Sequence, residues 1–235
     1  MSAQLALNLR LRDSASFANF HPARNAEAVA CLWRALDSLA AQKPIEHVVF
    51  LWGPGGSGRT HLLQAVCHRA QELSLSFAYL PFGEITSFTP TVLDGFESAP
   101  LVCLDDLQSI AGVRAWEEAV FALVERLRAR AGLLVVAADA PPAQLKIMLP
   151  DLVTRLGWGP VYPLQPLADD EKLAALQLRA SRLGFELPDE VARYVLARYP
   201  RDTGSLFAWL DRIDRQAFIA QRRLTIPFVR ELEKT

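Results

Sequence analysis

The sequence predicts an α/β protein: a parallel five-stranded sheet covered by helices, followed by a small all-α domain. Three observations carry that expectation. Between about residues 46 and 164, short apolar runs alternate with longer segments of helical periodicity. The apolar runs are nearly continuous, with little polar alternation, which marks strands buried on both faces and hence a parallel sheet. Beyond Leu167 the strand-like runs cease and four helical segments follow one another. At about 150 residues per domain, the 235 residues accommodate one large domain, or a large and a small one.

In chain order, MSAQLALNLRLRD is broken by Gln4, Asn8 and Arg10, so no signal-peptide core is expected. Residues 1–23 read as a tail, and a helix is expected from about Asn25 to Ala41. HVVFLW (47–52) is the first strand and THLLQAVCHRAQEL (60–73) the helix that follows it. FAYLPF (77–82) and LVCLDD (101–106) supply two more strands. WEEAVFALVERLRAR (116–130) is an amphipathic helix with Ala119, Val120, Leu123, Val124 and Leu127 on one face. LLVVAA (133–138) and VYPL (161–164) complete the sheet, giving an α/β domain over residues 24–164. The helical domain, 165–235, comprises DDEKLAALQLRASRLGF, LPDEVARYVLARYP, TGSLFAWLDRIDRQAFIAQRR and TIPFVRELE. Pro188 and Pro227 sit where a first-turn proline is tolerated, and Gly184 is a helix stop.

Composition excludes several classes. With 25 Lys+Arg against 26 Asp+Glu, the net charge of −1 argues against a nucleic-acid coat or a polybasic membrane anchor. No apolar run approaches the roughly 18 residues needed to span a bilayer. Cys31, Cys67 and Cys103 are too far apart for a CxxC pair and sit in apolar runs as small core residues. Unpaired cysteines suit a reducing compartment, so a cytoplasmic protein is expected.

Gly53-Pro54-Gly55-Gly56-Ser57-Gly58-Arg59-Thr60 follows a strand and opens a helix. It matches the G-x-x-x-x-G-K-[ST] phosphate loop, with Arg59 in place of the lysine. Its glycines let successive backbone N–H groups face phosphate oxygens, and the helix N-terminus adds a favourable dipole. His61, next on that helix, is counted with the site, and the Thr60 hydroxyl is a candidate Mg²⁺ ligand. The bland alternative is a glycine-rich turn with no ligand; four glycines in register between a strand and a helix favour nucleotide. Arginine is a broad planar fork where lysine is a point charge. Diphosphate binding is therefore expected to be more secure than hydrolysis.

LVCLDD resembles a Walker B strand, with Asp105 the Mg²⁺ candidate and Asp106 in the place of the residue that orients water. Asp139, ending the fourth strand run, is either a polar sensor near the γ-phosphate or a turn residue before Pro141 and Pro142. Arg155, in LPDLVTRLGWG, is either an arginine finger aimed at a neighbour's nucleotide or a surface arginine paired with Asp151 at i−4.

The order of phosphate loop, LVCLDDLQ, VVAAD, LPDLVTRLGWG and helical lid resembles the AAA+ ATPases of the DnaA clade. QLALNL, GFELP, LQPLADDEKLAALQLRA and QRRLTIPFVRE narrow the resemblance to the Hda family of DnaA-related initiation regulators, over essentially the whole chain. The resemblance implies an AAA+ P-loop domain with an α-helical lid, binding ADP or ATP. It implies an adaptor that links the DNA-loaded sliding clamp, the β subunit of DNA polymerase III, to ATP-bound DnaA and stimulates hydrolysis there. It places the clamp-binding motif on Gln4, Leu5, Leu7 and Leu9, otherwise a frayed amphipathic tail. It places the arginine finger on Arg155, and the adenine pocket beside Phe17 and Phe20, which serve equally well as hydrophobic anchors.

Two departures from the clade bear on function. A sensor arginine is expected at the start of a lid helix; the matching stretch, Arg201-Asp202-Thr203-Gly204, has Gly204 there, with Arg201 three residues earlier as a substitute. DnaA also carries a helix-turn-helix domain beyond the lid, whereas this chain ends at TIPFVRELEKT, so sequence-specific DNA binding is not expected. A self-assembling ATPase that loads a helicase or transposition complex, and a positive DnaA-recruiting factor, are the competing readings. Arg59 and Gly204 weigh against the first, QLALNL against the second. A homodimer hiding the N-terminal motif or Arg155 is compatible with the sequence.

Overall fold

A computed structural model describes residues 11–12, 15–84, 88–199, 203–220 and 224–232. Strands β1 (Val48–Trp52), β2 (Phe77–Pro81), β3 (Leu101–Asp105), β4 (Leu133–Ala138) and β5 (Val161–Pro163) form one sheet in the order β2-β3-β4-β1-β5. Every pairing is parallel, with Val48 opposite Leu134 and Trp52 opposite Ala138 in the central pair. The predicted parallel five-stranded sheet is therefore the one observed.

The continuous apolar runs are explained by the two layers that cover the sheet. Val48, Phe50, Val102, Leu104, Leu134 and Val136 point into one core with Val120, Leu123 and Val124 of α3 (Arg114–Ala129). Val49, Leu51, Leu101, Cys103, Leu133 and Val135 point into the other. That second core takes Leu32 and Leu36 of α1 (Ala26–Ala40) and Leu62, Leu63 and Val66 of α2 (Arg59–Glu72). Period-2 alternation still operates, but both faces are dry. Phe50 and Leu51 are fully buried on opposite faces, each burial worth about 1.5–3 kcal/mol.

Two sequence expectations are corrected in detail. Cys67 and Cys103 are fully buried, but Cys31 is only half-buried, because it lies one position off the Ala28–Leu32–Leu36–Leu39 stripe of α1. On α3 the buried face begins with Glu117, while Ala119 is half-buried. Glu117 is fully enclosed because its carboxylate accepts the N–H groups of Gly112 at 2.7 Å, Met148 at 3.0 Å and Leu149 at 2.9 Å. It thereby fixes the loop that leads into α4 (Pro150–Leu156).

Helices α5 (Asp169–Leu183), α6 (Asp189–Arg198), α7 (Thr203–Ala220) and α8 (Ile226–Leu232) form the lid around Leu176, Val191, Val195, Leu210 and Val229. Gly184 caps α5 in the left-handed region, φ +91°, the stop its position predicted. Between sheet and lid, Asn25 donates from Nδ2 to the Gln165 carbonyl and accepts the Gln165 N–H at Oδ1, both at 2.9 Å. That paired bond, in a residue only 3% exposed, ties the segment before α1 to the connection into the lid. Among the described residues no helix is long and apolar enough to cross a membrane.

Candidate functional site

In a parallel sheet the C-terminal strand ends gather on one edge, which is where open α/β folds bind ligands. Here that edge carries the Gly53–Thr60 loop between β1 and α2. The Gly53 N–H donates to the Ala138 carbonyl at 3.2 Å, anchoring the loop to β4. A Cβ on Gly53 would collide with the Leu164 carbonyl oxygen. Gly58 has φ +95°, and a Cβ there would also stand 2.7 Å from the Phe20 ring. Both positions therefore require glycine for stated reasons. The loop walls a cavity of about 200 Å³ together with Asn19, Phe20 and Asn25 on one side and Leu167, Ala175, Gly204 and Phe207 of the lid side on the other. Ser57, Gly58, Arg59, Thr60 and His61 all line it, as the sequence leads one to expect of a phosphate loop. Ser57 Oγ and Arg59 Nη1 are buried and find no hydrogen-bond partner among the described residues.

Asp105 ends β3, only 1% exposed. It accepts from the Tyr79 hydroxyl at 3.2 Å and the Asp106 N–H at 3.0 Å, with the Thr60 hydroxyl nearby. Burial pushes its carboxyl above the ordinary range, and these donors pull against that rise. Burial, and then the Asp105 charge, likewise push the Tyr79 phenol upward. Asp106 sits in the left-handed region, φ +53°. Its Oδ1 accepts from Gln108 Nε2 at 2.9 Å and faces Arg59 Nη2 at 3.4 Å. Gln108 Oε1 in turn accepts the Asp139 N–H at 3.2 Å, so one amide side chain bridges Asp106 and Asp139. Asp139 itself is exposed.

These residues do not compose a magnesium site. Mg²⁺ demands near-octahedral oxygen ligation. Here Asp105 already accepts from Tyr79 and the Asp106 N–H, and the neighbouring Asp106 faces a guanidinium. Thr60 lines the cavity, and Asp105 faces Tyr79 and its own neighbour's N–H.

His61, on the first turn of α2, places Nε2 2.9 Å from the Ser16 carbonyl. A carbonyl only accepts, so Nε2 carries the proton. Burial, helped by the nearby Arg179 and Arg12 cations and opposed by the Ser16 bond, lowers its basicity and keeps the ring neutral. Phe20 packs on His61, ring centres 5.4 Å apart, and lines the cavity. Phe17, in contrast, lies against Trp33 of α1, centres 5.1 Å apart, as an anchor of its segment. Gly204 lines the cavity at the start of α7, offering no side chain where a sensor arginine would reach. Arg201 and the Gln4, Leu5, Leu7 and Leu9 motif lie outside the described residues.

Arg155 sits on α4, away from this cavity. Its Nε donates to Glu125 of α3 at 2.6 Å, and its guanidinium lies 3.8 Å from the centre of the Trp158 ring. The ion pair is with Glu125, not with the i−4 carboxylate Asp151. Trp158 is 42% exposed and also carries Arg128 at 4.6 Å.

The family model described as the bacterial DnaA ATPase domain matches residues 11–162, more than half of the chain. The chain belongs to the DnaA-related AAA+ family. A second model, described as the lid domain of Hda, matches residues 169–232 of this DnaA-related protein. Its fold resembles domain III of the Thermotoga maritima replication initiation protein DnaA, with a TM-score of 0.74 at 20% identity, over 93% of this chain and 95% of that one. AMPPCP-bound DnaA from Aquifex aeolicus gives 0.69 at 21% identity, over 95% and 71%. The Thermotoga maritima RuvB Holliday junction branch migration motor gives 0.57 at 18%, over 87% and 67%. At these identities the likeness establishes a shared AAA+ fold.

Sequence reasoning missed several contributors to the site, Asn19 and Asn25 of the cavity wall among them. Tyr79 and Gln108 hold the two carboxylates, and Ala175 and Phe207 close the cavity from the lid. Gln108 follows Asp106 by two residues, so the signal was local: an amide within reach of the carboxylate. Tyr79 is recognisable only once β2 and β3 are known to be neighbours.

Proposed function

We propose that this DnaA-related AAA+ protein is a negative regulator of replication initiation: an ADP-bound adaptor that stimulates hydrolysis of ATP held by DnaA. Residues 24–164 form the nucleotide-binding domain, 165–235 the lid, and 1–23 a tail that docks on the sliding clamp. The observation that carries this reading is the split character of the cavity. Its backbone is a phosphate loop, with Gly58 folded against Phe20. Its catalytic equipment is disengaged: Arg59 turns to Asp106, and Gly204 supplies no sensor. Such a site favours holding a nucleotide over hydrolysing one. AMPPCP in the Aquifex aeolicus DnaA supports an adenine nucleotide as occupant. The chemistry then belongs to the partner's ATP, and Arg155 is the group this chain delivers in trans. An arginine there stabilises transition-state charge on the transferring phosphoryl group.

The clamp motif is tested separately. Gln4 supplies the amide of an extended peptide whose Leu5, Leu7 and Leu9 enter an apolar groove. Gln4→Ala is expected to weaken capture of this protein by clamp-loaded DNA by about tenfold, the loss of one well-placed hydrogen-bonding group. ADP binding should be unchanged. Clamp capture at full strength by the variant would contradict the docking role.

A further inference from the structure

Beside the phosphate loop the cation that a nucleotide site normally borrows from solution is already built into the chain. Arg59 replaces the loop lysine, and its two terminal nitrogens have different fates. Nη2 faces Asp106 Oδ1 at 3.4 Å, on the acidic side of the site. Nη1 is buried and finds no acceptor among the described residues, and Arg59 lines the cavity. Ser57, 4% exposed, lines the same cavity, and its Oγ, buried beside Gly53, again lacks a partner among the described residues. A buried guanidinium N–H and a buried hydroxyl left open together ask for an oxygen-rich anion.

The carboxylates opposite already have partners. Asp105 accepts from the Tyr79 hydroxyl and the Asp106 N–H. Asp106 Oδ1 takes Gln108 as well as Arg59. A divalent cation bridging these groups to a phosphate would have to stand beside the guanidinium. Two cations would then compete for one carboxylate at a position where the Arg59 side chain is only 13% exposed and little water screens them.

We propose that this site takes a nucleoside diphosphate as its metal-free anion, with the Arg59 guanidinium bridging the phosphates to Asp106 in the place of a divalent cation. The proposal rests on the nucleotide reading above. Arginine suits the role because its planar fork satisfies an acceptor on each arm, whereas the lysine ammonium is one compact charge. It separates this site from phosphate loops whose nucleotide arrives as a magnesium chelate.

The test is calorimetric titration of the full chain with ADP, once with excess Mg²⁺ and once with excess EDTA. The expected result is that the two dissociation constants agree within about threefold, because no metal ligand is lost when Mg²⁺ is withdrawn. For Arg59→Lys, whose folding is checked by its melting temperature, affinity in EDTA should fall about tenfold and recover with Mg²⁺. Wild-type binding that tightens more than about threefold on adding Mg²⁺ overturns the inference and leaves the nucleotide reading standing. An Arg59→Lys chain that binds ADP in EDTA like wild type also overturns it. Failure to bind ADP in either buffer removes both.

Discussion

Arg155→Ala is expected to lower stimulated hydrolysis of DnaA-bound ATP by roughly 10³-fold, at the conservative end of what an arginine delivered in trans contributes. Clamp capture and ADP affinity should not change, because Arg155 lies on α4, away from the phosphate loop, and is no part of the Gln4–Leu9 motif. The arginine is held by Glu125 and Trp158, so delivery to a partner first requires leaving Glu125. Arg155 and Glu125 are 27% and 39% exposed, and such a pair is worth about 0–1 kcal/mol. A 10³-fold rate effect corresponds to about 4 kcal/mol. Release is therefore cheap beside the gain, and the pair serves to hold the side chain ready. Arg155→Lys should fail nearly as badly, since lysine keeps the charge but loses the fork. The check is release of phosphate from DnaA pre-loaded with labelled ATP; stimulation retained by Arg155→Ala would remove this residue from the role.

Gly58→Ala is expected to weaken ADP binding by about thirtyfold. A left-handed non-glycine residue costs about 1–2 kcal/mol, and the added Cβ would meet Phe20 at 2.7 Å. The free loop escapes by relaxing, and the ligand must restore the strained form, so roughly 2 kcal/mol appears in affinity. Gly184→Ala is the control. It has a similar φ of +91° with nothing near the new Cβ, and it lies at the end of α5. It should lower the melting temperature and leave ADP affinity alone. Equal ADP affinity for Gly58→Ala and wild type, measured by calorimetry, would contradict the loop's assignment.

Much of this was legible because the signals are local. The β1, β3 and β4 runs are apolar throughout since both faces are covered, and the phosphate loop declares itself through glycine spacing between a strand and a helix. The rest depends on contacts between distant residues. Arg155 finds Glu125 across 30 positions, not Asp151 across four, because α4 packs against the α3 face. Phe17 and Phe20 look alike in sequence, yet one meets Trp33 and the other Gly58 and His61. Asn25 reads as an ordinary residue before a helix, and its paired bonds to Gln165 span 140 positions. Asp105 likewise meets Tyr79, 26 positions away, because β2 and β3 are neighbours in the sheet.

The central claim is that this chain acts on a nucleotide held by another protein. The most direct measurement pre-binds ATP to DnaA, adds this protein, and follows hydrolysis with and without DNA-loaded clamp. The account predicts hydrolysis that depends on both the added protein and the loaded clamp, with negligible turnover by this protein alone. Steady ATP turnover by the isolated chain, with no effect on DnaA-bound ATP, would contradict it.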